Sequence, residues 1–164
     1  HYVGRTFIEP TQQIRSFGVK LKHNINKSLV KNKSLILVDD SLVRGTTSVK
    51  IIKMLYDAGA KEVHLRIASP PIKYPDYYGV DTPNQNELLA SKLSIKEMQK
   101  FINATSLQFL SIEGLYKSLG HEKRNSSYPQ FTDHCFTGEY PVEPIDANNK
   151  DFINDRVSLI SSKY

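Results

Sequence analysis

Residues 35–48 read Leu35-Ile36-Leu37-Val38-Asp39-Asp40-Ser41-Leu42-Val43-Arg44-Gly45-Thr46-Thr47-Ser48, and their order decides the fold. An apolar run passes into two adjacent carboxylates and then into a loop of small and hydroxyl-bearing residues. A short continuous apolar run is the mark of a buried parallel strand. Open α/β sheets bind ligands beyond the carboxyl ends of such strands, so Asp39 and Asp40 fall where a ligand is met. Ser41 to Ser48 can offer backbone N–H groups and hydroxyls to a phosphate, aided by the start of the helix that follows. A plain strand-to-helix turn with an acidic cap would use one carboxylate and leave Arg44-Gly45-Thr46-Thr47 without a reason.

Outward from this stretch the pattern continues as strand and helix. Val49, Ile52 and Leu55 recur every third residue, Ile51 and Ala58 widen the stripe, and Gly59 suits a helix stop, which predicts a helix over 47–58. Val63, Leu65 and Ile67 alternate, which predicts a strand over 62–68. The βαβ unit so formed should be a parallel pair with a right-handed crossover. The prolines of 69–83, with their Pro70-Pro71 step, exclude a central strand there. A short helix is expected over 85–92. A second is expected over 95–103, opened by the capping-box pair Ser94 and Glu97. Leu107–Leu110 reads as a short strand, and Ser111 and Gly120 bracket a helix over 112–119. Residues 121–134 read as polar loop, and residues 1–33 as a basic mobile loop, carrying Arg5 and Lys22 among other cations, followed by a short extended or helical piece leading to Leu35. No internal repeat or domain boundary is visible.

Bulk properties set limits. A chain of 164 residues, 39% hydrophobic and 24% charged, suits one soluble domain with its own core. No apolar run reaches membrane-spanning length, and no signal peptide is visible. The single cysteine, Cys135, excludes an internal disulfide and fits a reducing, cytoplasmic setting. Four N-x-[ST] matches, at Asn26, Asn32, Asn103 and Asn125, are accordingly expected to be chance rather than glycosylation sites. The net charge of +5 can steer an anion but makes no case for nucleic acid. The chain opens on His1-Tyr2-Val3-Gly4-Arg5, which reads as the interior of a longer protein.

The Asp39-Asp40 segment resembles the phosphoribosyl-diphosphate (PRPP) motif of type I phosphoribosyltransferases. Three further segments narrow the resemblance to the amidophosphoribosyltransferase family. Tyr2 to Gln12 resembles that family's flexible loop. Ser69-Pro70-Pro71-Ile72 with Tyr78-Gly79-Val80-Asp81-Thr82-Pro83 resembles the segment after the next strand. Cys135-Phe136-Thr137-Gly138-Glu139-Tyr140-Pro141 resembles its C-terminal signature. The resemblance implies the C-terminal part of a phosphoribosyltransferase domain over 1–142, with a flexible loop at 1–22, the PRPP motif at 35–48 and a tail at 143–164. Nothing resembles the family's N-terminal glutaminase. The Asp-Asp motif alone would also admit another type I phosphoribosyltransferase or a PRPP-binding regulator.

The activity so implied is displacement of diphosphate from PRPP by glutamine-derived ammonia, giving phosphoribosylamine for purine synthesis. Asp39 and Asp40 would bind the ribose hydroxyls and Mg²⁺, an ion that takes hard oxygen ligands. Ser41, Val43, Arg44, Gly45, Thr46, Thr47 and Ser48 would wrap the 5′-phosphate. Arg5 and Lys22 would reach the diphosphate, and Tyr2, Phe7 and Ile8 would order the closed loop and line an ammonia path. Arg44 is left between an ion pair that holds the loop and plain exposure. Purine nucleotides would compete at the same motif, and the full-length form would be a homo-oligomer. Some members hold a [4Fe–4S] cluster on cysteines whose matching positions here are Asp76, Thr132 and Cys135. One thiol in three predicts no cluster. His134 and Asp133 beside Cys135 suggest a triad only on paper, and His64 reads as a structural residue on a strand face.

Overall fold

A computed structural model of the chain describes residues 25–80, 82 and 84–142. The expectations for Tyr2, Arg5, Phe7, Ile8, Lys22 and the tail at 143–164 lie outside the described residues.

Three parallel strands, β1 (Ser34–Asp39), β2 (Glu62–Ile67) and β3 (Ser106–Phe109), form a sheet in the order β1-β2-β3. The register sets Asp39 opposite Ile67 and Ile67 opposite Phe109, so the carboxyl ends of all three strands finish together. The helices are α1 (Lys27–Val30), α2 (Thr46–Asp57), α3 (Leu89–Lys92), α4 (Ile95–Phe101), α5 (Ile112–Ser118) and α6 (His134–Thr137). A 3₁₀ turn, Gln85–Glu87, precedes α3.

The core is the side of β2 that carries Val63, Leu65 and Ile67, joined by Leu107 of β3. Ile52 and Leu55 of α2 and Met98 of α4, with Ile102 just beyond it, close over them. This stripe is what the three-residue spacing in 47–58 and the alternation in 62–68 foretell. Gly59 follows the last turn of α2 at φ +95°, a conformation that favours glycine, and its C=O accepts from Asn32 N–H at 2.7 Å. The capping box forms: Ser94 Oγ accepts from Glu97 N–H, and Ser94 N–H donates to Glu97 Oε2 at 2.8 Å. Ser111 Oγ likewise accepts from Gly114 N–H at 2.9 Å.

Two expectations need correction. β1 was expected to be buried, yet among the described residues it lies at the sheet edge with Ile36 71% and Val38 68% exposed. Its Leu35 and Leu37 pack on the core, while Ile36 and Val38 share the opposite face with His64 and Arg66 of β2, a face these helices leave open. The expected helix over 85–92 is divided at Leu88, whose backbone is extended (φ −74°, ψ 119°) and whose side chain is fully buried. Burying Leu88 outweighs a continuous helix of that length. The polar loop expected over 121–134 is present through Asp133, where α6 takes over from His134, and it is held by a network described below.

The four N-x-[ST] asparagines all perform backbone tasks. Asn26 caps α1 through Ser28 N–H, Asn32 and Asn103 take φ of 59° and 58°, and Asn125 Oδ1 accepts from Ser127 and Tyr128 N–H. Asparagine is favoured at such caps and left-handed turns.

Truncation of the core should be felt strongly. Ile52→Ala should cost about 2–4 kcal/mol and Ser94→Ala about 1 kcal/mol. Denaturant unfolding measures both.

Candidate functional site

The site begins where β1 ends. Asp39 C=O accepts from Ala68 N–H at 2.9 Å, tying the last residue of β1 to the end of β2. Asp39 Oδ1 accepts from Asp40 N–H at 3.0 Å, and Ser41 Oγ donates to Asp40 Oδ1 at 3.0 Å. Asp39 is half-buried and Asp40 exposed. The next residue, Leu42, is 2% exposed and pins the loop into the core between these carboxylates and the helix.

Gly45 ends the loop at φ +75° and is the N-cap of α2, with no side-chain hydrogen bond to the first turn. The opening N–H groups of a helix have no intrahelical acceptor. Here they are not covered by their own cap, and Thr46 and Thr47 stand exposed beside them. This gives carboxylates, hydroxyls and helix-start N–H groups along one turn, a donor set for a phosphate next to an acceptor set for hydroxyls or a hard cation. The structure thus brings together Asp39, Asp40, Ser41, Val43, Arg44, Gly45, Thr46, Thr47 and Ser48 on one strand–loop–helix segment. Ser48, at 4% exposure, faces inward rather than outward.

Arg44 takes the ion-paired arrangement. Its Nε donates to Glu87 Oε2 at 2.8 Å, and Leu89 N–H donates to Val43 C=O at 2.8 Å. Sequence reasoning passed over Glu87, because nothing local marks a contact between residues this far apart in the chain.

A second cluster joins the Pro-rich loop to the C-terminal signature. Asp76 accepts from Tyr78 N–H at 2.7 Å and Val80 N–H at 3.1 Å on Oδ1 and meets His134 Nε2 at 2.8 Å with Oδ2. Cys135 Sγ lies 3.9 Å from the same Oδ2. Cys135 C=O accepts from the N–H groups of Lys73 and Tyr74, and Tyr140 OH donates to Pro75 C=O. Burial opposes charge on Asp76, but the two backbone N–H groups and His134 outweigh it and hold the carboxyl below its ordinary range. Burial, reinforced by the Asp76 charge, pushes the Cys135 thiol up to about 11.

The carboxylate partner of His134 is Asp76, while Asp133 pairs with Arg124 and Tyr116, so no Cys135-His134-Asp133 triad forms. Asp76 and Cys135 come together. However, they present one carboxylate and one thiol, with His134 nearby, and this donor set does not fit a four-thiolate [4Fe–4S] cluster. Its mixed oxygen, nitrogen and sulfur atoms are of the kinds that a single zinc-like ion accepts.

Asp133 belongs to a separate network. Arg124 donates to Asp133 Oδ2 at 2.5 Å and to Glu139 Oε2 at 2.6 Å, and Tyr116 OH donates to Asp133 Oδ2 at 2.9 Å. Burial works against the Asp133 charge, but Arg124 and Tyr116 hold the carboxyl below its ordinary range. His64 sits on the open sheet face with Nδ1 2.8 Å from Ser106 Oγ, the structural position expected of it.

Comparison with known proteins follows the same lines. No family model matches the chain. It is 56% identical over 163 residues to an amidophosphoribosyltransferase of Rhizobium etli, covering 99% of this chain and 33% of that protein. It is 54% identical over 158 residues to amidophosphoribosyltransferase 2, chloroplastic, of Arabidopsis thaliana, covering 94% and 27%. Among solved structures, the glutamine PRPP amidotransferase of B. subtilis complexed with ADP and GMP matches with a TM-score of 0.68. That match is 45% identical and covers 87% of this chain and 31% of the other. The parallel sheet with its flanking helices is therefore part of a type I phosphoribosyltransferase fold. Within that class, the chain belongs with the amidophosphoribosyltransferases. It spans about a third of the length of the curated relatives it matches.

Two outcomes are expected. Asp76 and Asp133 have carboxyl pKa values below their unfolded ones, so their stabilisation is present above about pH 4 and is lost as pH falls through the folded values. Asp133→Asn should cost about 3 kcal/mol near neutrality and flatten the acid limb of the stability profile, as read by denaturant unfolding across pH. Gly45→Ala should cost about 1–2 kcal/mol for its left-handed backbone, and its Cβ would stand only 2.9 Å from Leu89 Cδ2. Thermal unfolding checks it.

Proposed function

We propose that this chain supplies the PRPP-binding part of an amidophosphoribosyltransferase, which transfers glutamine-derived ammonia to PRPP with loss of diphosphate. The observation that carries this reading is the Asp39-Asp40 pair at the end of β1, running through an uncapped Ser41–Gly45 loop into the first turn of α2. The enzyme names of the relatives favour it over a PRPP-sensing regulator or another type I phosphoribosyltransferase.

In this reading Asp39 and Asp40 hold the ribose hydroxyls and Mg²⁺. Two adjacent carboxylates at a loop fit a hard cation that keeps several waters and shares substrate oxygens. The bound ion would offset charge on the diphosphate. Ser41 to Ser48 receive the 5′-phosphate, with the left-handed backbone of Gly45 turning the loop into the first turn of α2. Ammonia attacks the ribose C1 as diphosphate leaves, and the developing positive charge on the ribose needs positioning and electrostatic support rather than a protein nucleophile. Arg5 and Lys22 would meet the leaving diphosphate, while Tyr2, Phe7 and Ile8 shield a path for neutral ammonia. Purine nucleotides would compete at Asp39–Ser48; the B. subtilis neighbour is complexed with ADP and GMP. Among the described residues no helix is long and apolar enough to cross a membrane. A cytoplasmic, homo-oligomeric, magnesium-dependent enzyme is the full form of the proposal.

The test is PRPP-dependent diphosphate release with ammonium chloride, in a full-length amidophosphoribosyltransferase whose matching third is replaced by this chain. Asp40→Asn should lower turnover about a hundredfold and largely spare glutamine hydrolysis. Equal loss of both activities with the fold intact would contradict the role given to Asp40.

A further inference from the structure

We propose that Glu87 and Leu89 form a strut that sets the shape of the phosphate loop, which makes Glu87 a positioning residue for the anion received by Ser41–Ser48; this rests on the function proposed above. The strut touches three consecutive loop residues in three different ways. Glu87 Oε2 accepts from Arg44 Nε at 2.8 Å. Leu89 N–H donates to Val43 C=O at 2.8 Å. The Leu89 side chain lies against Gly45, where an added Cβ would stand 2.9 Å from Cδ2. One contact would tether the loop. A charged pair, a backbone hydrogen bond and an apolar contact on Val43, Arg44 and Gly45 fix its direction as well.

The strut is itself held firmly. Leu88, between the two contact residues, is 0% exposed, and Ser91 Oγ donates to the C=O groups of Gln85 and Leu88 at 2.6 and 2.8 Å. This explains the extended backbone at Leu88. A continuous helix through that position would turn Glu87 and Leu89 to different faces, whereas the break lets both reach the same loop. The Arg44–Glu87 pair has side chains 41% and 48% exposed, so it adds little to global stability. Its effect is local: it keeps the loop in one shape before the ligand arrives, which lowers the ordering cost of binding.

Glu87→Gln, Arg44→Gln and the double variant are compared in the full-length enzyme carrying this chain, by two readouts. One is the KM–kcat split for PRPP with ammonium chloride. The other is amide hydrogen exchange over Val43–Ser48 without ligand. Glu87→Gln should raise the PRPP KM about two- to fivefold with kcat and melting temperature unchanged, and should speed exchange over Val43–Ser48. The double variant should be no worse than the more damaged single one, as for two residues acting as a unit. Unchanged KM and exchange, or additive losses in the double variant, would overturn the strut. If the unsubstituted enzyme fails to turn over PRPP, the proposed function falls, and the exchange comparison still decides the strut.

Discussion

Parallel pairing of β1 with β2 is the constraint on which the rest of the structure depends. Parallel strands need a crossover, here α2, and its stripe of Ile52 and Leu55 is what covers Val63, Leu65 and Ile67. The same pairing brings the strand ends level, with Asp39 C=O bonded to Ala68 N–H, so that the turn into α2 must occur beside the ends of β2 and β3. The site is a consequence of this geometry. The two carboxylates stand at the last ladder position and just past it, and the first N–H groups of α2 follow within one short loop.

The parts not set by the sheet are held by long-range polar ties. The Arg44–Glu87 pair links the loop after β1 to the segment before α3. Asp76 with His134, and Arg124 with Asp133, fasten the Pro-rich loop and the region after α5 to α6. Asp133 and His134 are adjacent in sequence, yet they serve different partners. The C-terminal signature is thus a junction between two polar clusters. Asp76 and Cys135 meet at this junction, where a hydrogen-bonded carboxylate and imidazole do the fastening.

Much of this was legible in the sequence because it is local or periodic. The apolar run 35–38, the three-residue spacing of Val49, Ile52 and Leu55 and the alternation of Val63, Leu65 and Ile67 each report a face buried against its neighbour. The Ser94–Glu97 box and the Ser111 cap act within one turn, so their meaning is complete in four residues. What eluded the sequence was non-local. The exposure of Ile36 and Val38 depends on what lies on the far face of the sheet, which an apolar run does not encode. The break at Leu88 reflects a contest between helix continuity and burial of one side chain. Glu87, Arg124 and the choice of Asp76 over Asp133 as the partner of His134 are pairings across loops, with no spacing rule to reveal them.

The central claim is that the turn from β1 into α2 receives the phosphate of PRPP. Its most direct test is amide hydrogen exchange over Asp40–Ser48, with and without Mg²⁺ and PRPP, in a full-length enzyme carrying this chain. The account predicts strong, PRPP-dependent protection centred on Gly45 to Ser48, abolished by Asp40→Asn together with Gly45→Ala. Protection elsewhere in the protein, with these amides unchanged at saturating PRPP, would contradict it.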